Sequence, residues 1–193
     1  MKLPAGWRDA IDSLCHDLKP FQASCFRSVE LAWAHPDDVI SGEGTKVKGG
    51  RFAPKGMRAV YASLDEETTT REVSARKARL GGKAQIALKD YPRVVYIVSV
   101  EAKRCLDLRD AGNDSISRDV LKAALVPDDL SASQELGDFL STKGVDAIIF
   151  PSVVGHGTNI AVFLDVDPPP RIEITNRNDI MEAIAALAKR STY

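Results

Sequence analysis

The stretch Val145-Asp146-Ala147-Ile148-Ile149-Phe150-Pro151-Ser152-Val153-Val154-Gly155-His156-Gly157-Thr158-Asn159-Ile160-Ala161-Val162-Phe163-Leu164 decides the fold class. Ala147 to Phe150 is an apolar strand stopped by Pro151, and Ile160 to Leu164 is a second apolar run of strand length. The turn between them, Gly155-His156-Gly157-Thr158-Asn159-Ile160, has two glycines of a dinucleotide-binding loop but lacks the third. A strand rather than a helix follows it, which is the wrong context for a doubly wound nucleotide fold.

Working outward, Ser131 to Lys143 reads as a helix ended by Gly144. The β-branched run Val94 to Val100 suits a buried strand, and Leu106 and Leu108 alternate with acids in another short one. Ala59 to Leu64 is a strand, and a helix should cover about 65 to 80. Ser63-x-x-Glu66 has the form of a capping box, with Asp65 as the alternative cap. Gly81-Gly82 should end that helix, and Tyr91-Pro92 should break the chain. Upstream, apolar spacing predicts a helix over 7 to 18 and a short strand from Ser24 to Val29. Ala34 to Gly56, rich in glycine, proline and charge, reads as a long loop, of a kind that is often functional. After the stop at Pro168-Pro169-Pro170 come a strand at Arg171 to Ile174 and a helix at Asn178 to Lys189. Short strands with several helices and no regular βαβ alternation predict an α+β single domain, a short-stranded β core flanked by helices.

Composition limits the function. The 193 residues carry 26 basic and 27 acidic side chains, a net charge of −1, and 44% are hydrophobic. A chain of this length buries roughly two-thirds of its surface and needs neither disulfides nor metal to hold a core. Neutral balance without a basic tail argues against direct nucleic-acid binding, and no apolar run approaches the length of a membrane span. The N-terminus lacks the pattern of a secretory signal. Cys15, Cys25 and Cys105 are odd in number and form no Cys-x-x-Cys pair, as expected of reduced thiols in a cytoplasmic protein. His16, His35 and His156 stand apart, without metal-ligand spacing, so no metal is expected. Gly44 to Arg51 resembles a phosphate loop superficially, but Gly50 and Arg51 occupy the places of its Lys and Ser/Thr.

One segment is locally basic. Between 41 and 60, Lys46, Lys48, Arg51, Lys55 and Arg58 face the single acid Glu43, interleaved with five glycines. Backbone N–H groups and guanidinium forks brought together in this way suit a phosphate-bearing ligand; the alternative is a solvated basic loop. Arg27 and Tyr61 fall on predicted strands, Glu72 on the following helix and Ser152 at a strand end. Spacing alone does not join them, so the residues by themselves give an anion-binding α+β domain.

Eight short motifs occur in the order seen in RES-domain proteins. They are Phe26-Arg27, Gly49-Gly50-Arg51-Phe52, Tyr61-Ala62, Arg71-Glu72-Val73, Tyr91-Pro92-Arg93, Leu106-Asp107-Leu108, Phe150-Pro151-Ser152-Val153 and Asn159-Ile160-Ala161-Val162-Phe163. The chain resembles that family over residues 24 to 165, which leaves a helical segment at 1–23 and a strand and helix at 166–193 packing on the same domain. The family is named for an Arg, a Glu and a Ser, matched here by Arg27 or Arg51, by Glu72 and by Ser152. Many members read Gly-Arg-Phe-Asn where this chain has Ala53 after Phe52, so any role of that asparagine is lost.

The resemblance implies a fold similar to the ADP-ribosyltransferases and a bacterial toxin that consumes NAD+ as substrate. It implies Glu72, Arg27 and Tyr61 as catalytic residues, with the Arg in the place of the His of a His-Tyr-Glu set. Arg51, Gly50, Lys48, Ser152 and Asn159 are the implied substrate contacts. Water as acceptor would make an NAD+ glycohydrolase, phosphate a phosphorylase, and a protein side chain a mono-ADP-ribosyltransferase; a non-catalytic nucleotide-binding module is the alternative from another class. The implied partner is a cognate Xre-like antitoxin.

Overall fold

The computed structural model describes residues 2–79, 93–110, 115–127 and 129–190. Helix α1 (Trp7–Leu14) runs into a 3-10 turn, Cys15–Asp17, and then strand β1 (Lys19–Glu30). Two short helices, α2 (Pro36–Ser41) and α3 (Glu43–Lys48), precede β2 (Ala59–Ser63) and α4 (Glu66–Arg79). Strand β3 (Arg93–Asp107) is followed by α5 (Ser115–Ala124), α6 (Ser131–Thr142), β4 (Ala147–Pro151) and β5 (Thr158–Phe163). Strand β6 (Arg171–Ile174) and helix α7 (Arg177–Arg190) complete the described chain.

The strands pair in the order β1-β2-β5-β4-β3, and β3 pairs back to β1, so five strands close a ring with β6 added along β3. Neighbours are antiparallel except β3 and β4. Closure gives each strand of the ring a neighbour on both sides. The ring is tight between β1 and β3, whose register runs from Lys19↔Cys105 to Glu30↔Arg93. Between β1 and β2 it is held by the single pair Phe26↔Ser63.

Alternation divides the apolar residues into two clusters, as side chains on a pleated strand must. Cys25, Ala62, Val98, Val100, Ala147, Ile149, Ile160 and Val162 draw on all five strands of the ring and form the enclosed cluster, which Val39 of α2 joins. Ile148, Phe150, Ala161 and Phe163 point the other way and pack with Trp7, Ile11, Val120, Leu136 and Leu140 from α1, α5 and α6. Tyr61 packs against this second cluster.

The α+β class read from the sequence is the observed one, with several elements redrawn. Ala34 to Gly56 is not a structureless loop, because Pro36 presets the first turn of α2. Gly42, at φ 71°, both ends that helix and starts α3, which Gly49 ends at φ 78°. The strands expected at Val94–Val100 and Leu106–Leu108 are one strand through Asp107. Its polar middle stays extended because β1 pairs along it. Where the β1 register shifts between Lys19 and Phe21, the buried Asp146 carboxylate accepts the N–H groups of Lys103 and Arg104. Helix α5 is absent from the sequence reading, although Ser117, Val120 and Ala124 supply a buried face at helical spacing. The Gly81-Gly82 and Tyr91-Pro92 breaks lie outside the described residues.

Candidate active site

Helix α4 brings Glu72 to the end of the ring where β2 and β4 finish and β5 begins. Asp65 starts the helix, its carboxylate accepting the Thr68 backbone N–H and the Thr68 hydroxyl proton, both at 2.7 Å. Asp65 is therefore the cap, and Ser63, the first residue of the capping-box pattern, is engaged elsewhere. Thr69 donates its hydroxyl to the Phe26 carbonyl at 3.1 Å and ties α4 to β1. Gly157 makes the opposite wall possible, since a Cβ there would overlap the Thr68 side chain.

Glu72 is held from the residue that follows β4 and from β5. The Ser152 hydroxyl donates to Oε1 at 2.6 Å, and the Asn159 Nδ2 donates to the same oxygen at 2.7 Å. Ser152 is itself set by the turn: its N–H donates to the Gly157 carbonyl, and its Oγ accepts the Val154 N–H. Asn159 lies directly across from Ser63 in the β2–β5 ladder, and the Ser63 hydroxyl donates to Asn159 Oδ1 at 2.8 Å. Ser63, Ser152 and Asn159 are 5%, 8% and 9% exposed, so these polar groups answer one another away from water. Both bonds to the carboxyl fall on Oε1, and among the described residues Oε2 accepts none.

Arg27 and Tyr61 meet where β1 and β2 part. Arg27 Nη1 donates to the Tyr61 carbonyl at 2.5 Å and bridges strands that share only the pair next to it. Its Nε is buried and has no acceptor among the described residues. Burial, with Arg93 nearby, lowers the guanidinium to about 10, so it remains cationic at neutral pH. Burial pushes the Tyr61 phenol well above its ordinary value despite the Phe52 N–H bond that it accepts at 2.9 Å, so it stays neutral.

The glycine-rich basic segment has a different surrounding. The Gly50 N–H donates to Ala53 O, and Gln134 donates to Gly50 O. A Cβ on Gly50 would come within 2.6 Å of the Tyr61 ring. Arg51 Nη1 donates to the carbonyls of Ala124 and Val126 at 3.1 and 3.0 Å, at the C-terminal end of α5. Carbonyls left over at a helix end are natural partners for a guanidinium. Phe52 stacks edge-on to Phe150 at 4.7 Å. Arg58 pairs with Asp165, and Lys48 is exposed at the end of α3. The structure thus joins Glu72, Ser152 and Asn159 in one network and sets Arg27 and Tyr61 beside it along β2. It packs Gly50 against the Tyr61 ring, sets Arg51 at the end of α5 and leaves Lys48 exposed at the end of α3.

Ser63 and Gly157 are the site residues that the sequence reading missed. The strand period offered a signal for Ser63, two positions after Tyr61 on the same face; nothing in the local pattern marked Gly157. Among the described residues no group of three His, Cys, Asp or Glu side chains could hold a metal ion, and no helix is long and apolar enough to cross a membrane.

A family model described as the RES domain matches residues 24–180, which reaches past β6 into α7. Among solved structures, a chain in the crystal structure of the M. tuberculosis MbcT–MbcA toxin–antitoxin complex has a TM-score of 0.64 at 20% identity. That match covers 93% of this chain and 97% of the other, and it shows a common fold. No curated protein matches the sequence. With the family model spanning most of the chain and the fold in agreement, the chain belongs to the RES-domain family.

Proposed function

We propose that this protein is an NAD+-consuming toxin that breaks the bond between nicotinamide and ribose. The observation that carries the reading is Glu72, fixed through Oε1 by Ser152 and Asn159 while Oε2 is left to a ligand. As the C1′–N bond breaks, its electron pair leaves with nicotinamide, which becomes neutral, and the ribose gains oxocarbenium character. A carboxylate already oriented at that ring stabilises the transition state more than the ground state. The acceptor then forms a bond to C1′ and gives up a proton.

Other residues bind and orient. Arg27 is a buried cation whose Nε donor has no partner among the described residues, a feature that suits a polar or anionic group of the dinucleotide. Tyr61 offers an uncharged aromatic surface for the nicotinamide. Gly50 packs against that ring, Arg51 holds the carbonyls at the end of α5, and Lys48 is the exposed cation nearest to Gly50 in sequence. Family membership, and the fold shared with a chain from a toxin–antitoxin complex, support the toxin reading and an antitoxin as partner; that this antitoxin is Xre-like is what the family resemblance implies.

Mass spectrometry of NAD+ incubated with the purified protein, with and without phosphate and a bacterial lysate, tests this reading. Nicotinamide with free ADP-ribose identifies a glycohydrolase, and nicotinamide with phosphorylated ADP-ribose a phosphorylase. A lysate protein heavier by one ADP-ribose identifies a mono-ADP-ribosyltransferase. Bound but intact NAD+ would replace the enzyme reading with a nucleotide-binding module. Co-purification with the neighbouring gene product tests the antitoxin.

A further inference from the structure

We propose that Ser63 is a positioning residue that fixes the side-chain amide of Asn159 and, through it, the catalytic orientation of Glu72; the proposal rests on the reading of Glu72 given above. The argument begins with Asn159. The two ends of a carboxamide have the same shape and opposite chemistry, and its terminal torsion is broad and roughly two-fold. A donor must face Glu72, because an amide oxygen against a carboxylate oxygen would repel it. Ser63 supplies the complementary condition at the other end by donating its hydroxyl proton to Asn159 Oδ1, the two oxygens lying 2.8 Å apart.

Three features make Ser63 suited to this task. It is buried, so water does not readily substitute for its hydroxyl. It is the cross-strand partner of Asn159 in β5 and of Phe26 in β1, at the place where the three strands meet. Asp65 caps α4, so the Ser63 hydroxyl is released from the local bond that a serine before a helix ordinarily makes. Removal of the hydroxyl would leave Asn159 Oδ1 a buried acceptor without its donor, free the amide to turn, and leave Ser152 as the remaining donor to Glu72 among the described residues.

The test combines spectroscopy with kinetics. In 15N-labelled protein, the Asn159 Nδ2 proton bonded to Glu72 should lie downfield of free side-chain amides, and Ser63→Ala should return it toward them. Ser63→Cys, similar in size but a weak donor, should do the same and serves if the alanine variant is unstable. With NAD+, kcat should fall about threefold to tenfold, the span of one net hydrogen bond, while KM stays within about twofold. In an Asn159→Ala background, Ser63→Ala should have no further effect on kcat, because the group it acts through is gone. An unmoved Asn159 signal together with wild-type kcat, or additive losses in the double variant, would overturn the proposal. Should the wild-type protein release no nicotinamide, the functional reading fails while the amide signal still decides the role of Ser63.

Discussion

Gly49-Gly50-Arg51-Phe52 and Arg71-Glu72-Val73 look equally chemical in the sequence, and the fold treats them in opposite ways. The guanidinium of Arg51 is engaged by the carbonyls at the end of α5, and the glycine before it is occupied by the Tyr61 ring. Its charge completes a helix terminus. Glu72 is also hydrogen-bonded, but its partners converge on one oxygen and orient the other. The lesson lies in what is left over. A charged motif residue engaged by backbone carbonyls at a helix end supports the structure, whereas one held through a single oxygen, the other unbonded among the described residues, suits the ligand-facing role proposed for Glu72.

The largest expected effect separates the two regions most sharply. Glu72→Gln should lower nicotinamide release by about a hundredfold or more, since it removes charge that acts in the transition state, while the melting temperature stays close to that of the parent. The converse holds for the glycine-rich segment. Gly50→Ala sets a methyl against the ring and should cost about 1–3 kcal/mol, the usual range for overpacking. Arg51→Ala leaves helix-end carbonyls without their donor and should cost about 1–3 kcal/mol. Both are measured by denaturant melts, with activity per folded molecule much nearer wild type than that of Glu72→Gln. A large rise in KM for Arg51→Ala at unchanged stability would instead make the arginine a ligand contact and dissolve the contrast.

Ser152→Ala should lower kcat several-fold, on the order of one charge-assisted hydrogen bond, because Asn159 still holds Oε1. The smallest effect is one of pH. Burial acts to raise the Asp165 carboxyl, but the N–H and guanidinium of Arg58 overcome it and hold the group below its ordinary value. A folded value below the unfolded one stabilises the protein above about pH 4, and that contribution is lost as pH falls through the folded value. Asp165→Asn should flatten the acid side of the stability curve by less than about 1 kcal/mol, as for other exposed pairs.

How much of this was legible beforehand follows the range of the forces concerned. Strands with β-branched or alternating residues, such as Ala147–Pro151 and Arg171–Ile174, and helices with glycine stops, such as α6, are written in local pattern. The length of β3 was not, because Glu101 to Arg104 are extended by β1 and by Asp146, both distant in sequence. The α2–α3 pair was concealed by glycine and proline, which here terminate helices rather than prevent them.

The site shows the same division. Glu72, Ser152, Arg27 and Tyr61 were nameable through the family's motifs, but their bonds join residues up to 80 or more positions apart. Ser63 illustrates the limit most clearly. Its local spacing to Glu66 suggested a cap, and a cross-strand neighbour that only the ring provides took its hydroxyl instead.

The most direct test is a crystal structure of the Glu72→Gln variant soaked with NAD+. The ribose bearing nicotinamide should lie against the carboxamide atom that replaces Oε2, with the Ser152 hydroxyl still meeting the other end of the side chain and the Arg51 guanidinium still on the carbonyls of α5. Dinucleotide bound with its phosphates on Arg51 and its ribose away from residue 72 would contradict the account.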